Sequence, residues 1–201
     1  MGAPRWALLA LALMLGGAAC TSTTTTGSGG DAGGGGTDAP IDLLHQRGVA
    51  AEAVSAIERV VGASPANVTD VTVYPEYLIT EAQDPDIPDH IDRYEWRAHD
   101  VPTPEPVQLS GPQEDVDASL FPLSAVAWRR LTAMVDAAER ATLHNEPLRI
   151  ESPRASYVSI DRSTSSEDDG KVIVRIYISG PRRSGSVEMD ATGTIRLITV
   201  N

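Results

Sequence analysis

Between Thr21 and Thr37 the chain contains only Thr, Ser, Gly, one Asp and one Ala. A segment with no large apolar side chain cannot offset the entropy lost on ordering, so it is expected to be a disordered tether. This confines folding to the 164 residues after Thr37, enough for one domain of ordinary size or two small repeats. The sole cysteine, Cys20, precedes the tract, so the folding part has no disulfide available. It also has a single Phe, which leaves its core to Val, Ile, Leu and Ala with a few Tyr and Trp.

The residues before Cys20 have the order of an export signal. Arg5 gives a positive start, Trp6 to Leu15 is an apolar run of ten residues, and Gly16 to Ala19 are small. The run is shorter than the roughly 20 residues that span a bilayer. Small residues running directly into a cysteine resemble the lipobox of bacterial lipoproteins. That resemblance implies cleavage after residue 19 and acylation of Cys20, with residues 20–37 as lipidated cysteine and linker. It places the protein outside the cell, anchored through lipid to the outer face of the cell membrane. Loss of Arg5 leaves 15 basic against 28 acidic residues, a net charge of −13. Such a chain is not built for nucleic acid, which selects basic patches. Membrane contact would run through the lipid on Cys20.

The folding part is expected to be α+β, with two repeated units, each a helix packed on an antiparallel β-meander. The first unit covers 38–110, a linker 111–118, and the second unit 119–201. The first helical region runs from Pro40 to Gly62, with Gly48 as a break, and the second from Pro122 to Leu143, where Leu123, Ala127, Leu131, Met134, Ala138 and Ala141 share one face. In Tyr94 to His99 the apolar and polar residues alternate as in a half-buried strand, and Val172, Val174, Ile176 and Ile178 alternate the same way. Val73 to Ile79 and Glu151 to Ile160 each carry a strand, a Pro, and a Tyr opening the next strand, a period near 80 residues.

Val187-Glu188-Met189-Asp190-Ala191-Thr192-Gly193-Thr194-Ile195 looks like the final hairpin of PepSY-type domains, two strands around an Asp-containing turn closed by Gly. Tandem copies of such units are similar in plan to beta-lactamase-inhibitor-like folds. The resemblance implies a non-enzymatic envelope module that binds or inhibits a protein partner.

Motifs for chemistry are few. The acidic loop Asp84 to Asp92 could offer oxygens to calcium, but lacks the turning Gly and closing Glu of an EF-hand and reads as a solvated loop. His45, His90, His99 and His144 show no zinc spacing. There is no nucleophile elbow and no phosphate-binding glycine pattern, so no catalytic residue, metal site or cofactor is expected. Trp96 and Trp128 read as core anchors. Gly180 to Gly185 puts Arg182 and Arg183 on a hairpin tip of an acidic protein, a candidate partner-contact loop. The expected function is a membrane-anchored, non-catalytic protein-binding or inhibitory module. The alternative is an envelope carrier of a small apolar or lipid ligand, disfavoured because large apolar residues are scarce.

Overall fold

The computed structural model describes residues 40–109, 113–146, 149–163 and 170–201. Its centre is one antiparallel sheet of nine strands flanked by few helices. Helix α1 (Val49–Val61) leads to β1 (Asn67–Val73), β2 (Tyr77–Gln83), β3 (Ile91–Arg97) and the short β4 (Glu105–Pro106). Helix α2 (Gln113–Ser119) and β5 (Phe121–Pro122) follow. Two 3₁₀ turns, Leu123–Ala125 and Trp128–Arg130, lead into α3 (Leu131–Leu143). The chain ends with β6 (Arg154–Arg162), β7 (Val172–Ser179), β8 (Ser184–Asp190) and β9 (Ile195–Val200).

The strand order is β4-β3-β2-β1-β6-β7-β8-β9, with β5 also paired to β1. Two meanders therefore meet at one seam, where Asp70, Val71, Thr72 and Val73 face Asp161, Ile160, Ser159 and Val158. One sheet and one buried core span both segments that were read as separate units. Strand chemistry explains the burial. Val174, Ile176 and Ile178 point into the core, while Ile173, Arg175, Tyr177 and Ser179 take the opposite face. In β1 a bulge between Val68 and Asp70 shifts the phase, so that Val68, Val71 and Val73 all reach the core despite their uneven spacing.

The helices cover one face of the sheet. Gly48 lies in the left-handed region at φ 88° and starts α1, so the helical region read from Pro40 is a run of turns until Val49. Ala53, Val54, Ile57 and Val61 form the buried stripe of α1. Leu131, Met134, Val135, Ala138 and Thr142 form that of α3. The expected helix from Pro122 begins only at Leu131. Ahead of it, backbone bonds from Leu123 N–H to Ala66 O (2.9 Å) and from Ala127 N–H to Ala191 O (3.2 Å) hold the chain in another path. The strand expected to reach His99 stops at Arg97, because Ala98 and His99 turn at positive φ. Gln113–Ser119, which overlaps the expected linker 111–118 and ends one residue past it, is helical. Trp96 and Phe121 are completely enclosed, and Trp128 is nearly so.

His45 ties the first turns to α3. Its Nδ1 lies 3.0 Å from Asp42 and its Nε2 3.0 Å from Glu139, whose Oε1 also accepts from Ala155 N–H at 2.8 Å.

Candidate binding surfaces

Three surfaces stand out. The first is the tip of the β7–β8 hairpin. Gly180 bends there so tightly that a Cβ would sit 2.5 Å from Ile150 Cγ2 and 2.6 Å from Glu151 O. This close approach brings the tip against residues 149–151. Arg182, Arg183 and Arg149 consequently share the rim of a shallow recess of about 210 Å³ with Glu151. All four are exposed. Arg149 has one distant partner, Glu146 at 3.8 Å, while neither Arg182 nor Arg183 makes an ion pair among the described residues. Arg149 was not legible beside the other two, because 33 positions separate it from Arg182 and only folding joins them.

The second is a groove of about 560 Å³ between α1 and the 123–130 segment. Its walls include Val54, Leu123, Val126, Ala127 and Trp128, with Arg129 and Arg130 at the rim. Trp128 is fixed by its indole N–H, which donates to Leu123 O at 2.7 Å in a buried bond. The groove is mostly apolar although its residues are mostly small, so the scarcity of large apolar side chains did not prevent it.

The third is the sheet face opposite the helices. Tyr157 faces Tyr177 across β6 and β7, and Tyr74, one residue beyond β1, stacks between Tyr77 and Tyr157, so the four rings form one row across it. Their rings stack with centroids 4.5, 5.6 and 4.2 Å apart, close to the strand spacing. The Arg97 guanidinium caps one end, 4.1 Å above the Tyr77 ring. Burial, and then the neighbouring Tyr177, push the Tyr157 phenol above its ordinary value. A parallel row carries Glu81, Asp70 and Asp161 on adjacent strands. Burial, and after it the charge of Asp161, raise the Asp70 carboxyl. Burial and then Asp70 raise Glu81.

The acidic loop closes on itself. Asp84 Oδ1 accepts from the N–H groups of Asp86 (2.7 Å) and Ile87 (3.1 Å), which makes an Asx turn and commits that oxygen. Among the described residues no three His, Cys, Asp or Glu side chains gather as metal ligands. Cys20 and the export signal lie outside the described residues. No described helix is long and apolar enough to cross a membrane.

No family model matches the chain, and no curated protein does. Among solved structures, the chain is similar in fold to the “putative lipoprotein (CD1622)” of Clostridium difficile 630. The two are 10% identical, the TM-score is 0.52, and the match covers 83% of this chain and 97% of that one. At this identity the likeness is one of fold alone.

Proposed function

We propose that this protein is an exported lipoprotein, held on the outer face of the cell membrane through lipid on Cys20. Its role is to bind or inhibit an acidic surface of another envelope protein, without catalysis. The observation that carries the reading is the corner formed by Arg149, Arg182 and Arg183 on a chain of net charge −12. Arg182 and Arg183 are exposed and make no ion pair among the described residues, so they are available to pair bidentately with a partner's Asp or Glu, and the surrounding acidity disfavours most other approaches. Support for the lipoprotein half comes from the signal-like residues before Cys20 and from a fold shared with the Clostridium difficile neighbour. Each meander follows a helix that packs on it, α1 on β2 and β3, α3 on β6 to β9. That order favours a duplicated helix-and-meander unit of the PepSY-like kind.

In-cell crosslinking followed by mass spectrometry tests this. An envelope protein captured by the native chain should be lost with Arg182→Glu and Arg183→Glu together, and capture should weaken with added salt. Unchanged capture by that variant would remove the corner from the model. Cys20→Ser should move the protein from the membrane to the soluble fraction; retention on the membrane would refute the anchor.

A further inference from the structure

We propose that the groove between α1 and the 123–130 segment binds a single-chain amphiphile with an anionic head, namely a long-chain carboxylate. The site is distinct from the arginine corner and uses different elements. Its volume of about 560 Å³ lies in the range of small-molecule sites. Val54, Leu123, Val126 and the Trp128 ring provide an apolar wall for an acyl chain.

The charge pattern at the rim selects the head. Two carboxylates approach the groove, and both are already engaged. Glu58 Oε2 accepts from the Ser64 hydroxyl at 3.0 Å, and its Oε1 lies 3.4 Å from the Ala66 N–H. Glu52, in the adjoining recess, lies 2.9 Å from His99 Nδ1. The arginines are in the opposite situation. Arg129 and Arg130 at the groove, and Arg47 beside Arg129 in the adjoining recess, make no ion pair among the described residues. An acidic protein has carboxylates to spare, yet these three guanidinium groups around an apolar groove make no ion pair among the described residues. A carboxylate held there gains charge-assisted bonds while its chain leaves water against Trp128 and Val54.

The test uses the Cys20→Ser chain, which carries no lipid of its own. Dodecanoate, kept below its micelle concentration, is titrated while Trp128 emission is followed in a background carrying Trp6→Phe and Trp96→Phe, which leaves Trp128 as the one tryptophan. Saturable binding is expected, at least tenfold tighter than that of dodecanol, which has the same chain without the charge. Arg129→Glu with Arg130→Glu should weaken dodecanoate at least tenfold and leave dodecanol unaffected. Both side chains are exposed, and circular dichroism confirms folding. Ser55→Phe, placed on the exposed side of α1 where it lines the groove, should abolish binding of both. Equal affinity for the two probes, or binding that survives Ser55→Phe, would overturn the proposal. So would association with anionic vesicles in the absence of any binding to monomeric dodecanoate, which would make this face a membrane contact. Loss of binding in the natively lipidated protein alone would also overturn it, and would assign the groove to the chain's own acyl groups.

Discussion

Replacing Asp70 by Asn is expected to stabilise the protein at neutral pH. Asp70 sits on the face opposite the helices, with Glu81 beside it on β2 and Asp161 directly across the β1–β6 seam. Like charges on paired strands cost about 0.2–1 kcal/mol each, and Asp70 takes part in two such contacts. Compensation is partial. Arg93 faces Glu81, and Arg175 lies 3.7 Å from Asp161 but only 2.9 Å from Glu188, which competes for it. The substitution also weakens the Thr69 hydroxyl bond to Asp70, 3.2 Å long, by about 0.5 kcal/mol. The balance is a gain of about 0.5–1 kcal/mol, or roughly 1–4 °C in Tm for a chain of this size. The pH dependence fixes the mechanism. Burial, then Asp161, raise the folded carboxyl above its ordinary 3.8, so the native state binds this proton more tightly than the unfolded chain does. This group's contribution is therefore most favourable below 3.8, falls as pH rises through the folded value, and is unfavourable above it. The advantage of the Asn variant should accordingly be largest at pH 7 in low salt and shrink on acidification towards pH 4. Thermal unfolding followed by circular dichroism across that range measures it. A variant that melts below the native protein at pH 7, or a difference that is the same at pH 4 and pH 7, would refute the reasoning.

Asp190 should show the opposite sign. Burial pushes its carboxyl up, but bonds from the Thr194 and Thr192 N–H groups and the Thr192 hydroxyl outweigh it and hold it at about 2. Its contribution is present above pH 3.8 and lost as pH falls towards 2. Asp190→Ala should cost about 1 kcal/mol at pH 7 after allowance for solvent screening, and acid titration of stability should be flatter in the variant. Phe121→Ala removes an enclosed ring lying across from Val68, and should cost about 3–5 kcal/mol in denaturant unfolding; a loss below 1 kcal/mol would mean that the site is not packed as described. Gly185→Ala would set a Cβ against Thr199 O, and should loosen β9 at a cost of about 1–3 kcal/mol, visible as faster hydrogen exchange confined to residues 195–200.

Local chemistry made much of the sheet legible. The alternation in Val172–Ser179 and the Asp190-to-Gly193 turn specify β7, β8 and β9 without outside help, and Gly48 and Gly62 bracket α1. The failures are nonlocal. Leu123 to Arg130 has helical spacing, but Ala66, Ala191 and the Trp128 indole bond to Leu123 draw it into 3₁₀ turns. The indole bond is local, but Ala66 lies just before β1 and Ala191 just after β8, so no window around residue 125 contains those two partners. The groove exists because of that detour. Had residues 122–143 formed one straight helix, its walls would be placed differently. The arginine corner was half legible: Arg182 and Arg183 announce themselves on a hairpin, whereas Arg149 joins them only through the close pass of Gly180 over Ile150. The tyrosine row was invisible for the same reason. Tyr74, Tyr77, Tyr157 and Tyr177 align only once β1 has met β6.

That seam has a consequence for the order in which the protein is made. Val71 pairs with Ile160, 89 positions later. At about 5–20 residues per second of synthesis, the first meander waits on the order of 5–20 s with one edge of β1 bare. Val71 and Val73 lie along that edge, and no disulfide is available to hold it closed in the meantime. Lesions in β6 should therefore be harmful out of proportion to the contacts they delete. They prolong the interval in which a finished half-sheet is open to a neighbouring copy, and their signature should be insoluble protein on overexpression at melting temperatures that are only slightly reduced.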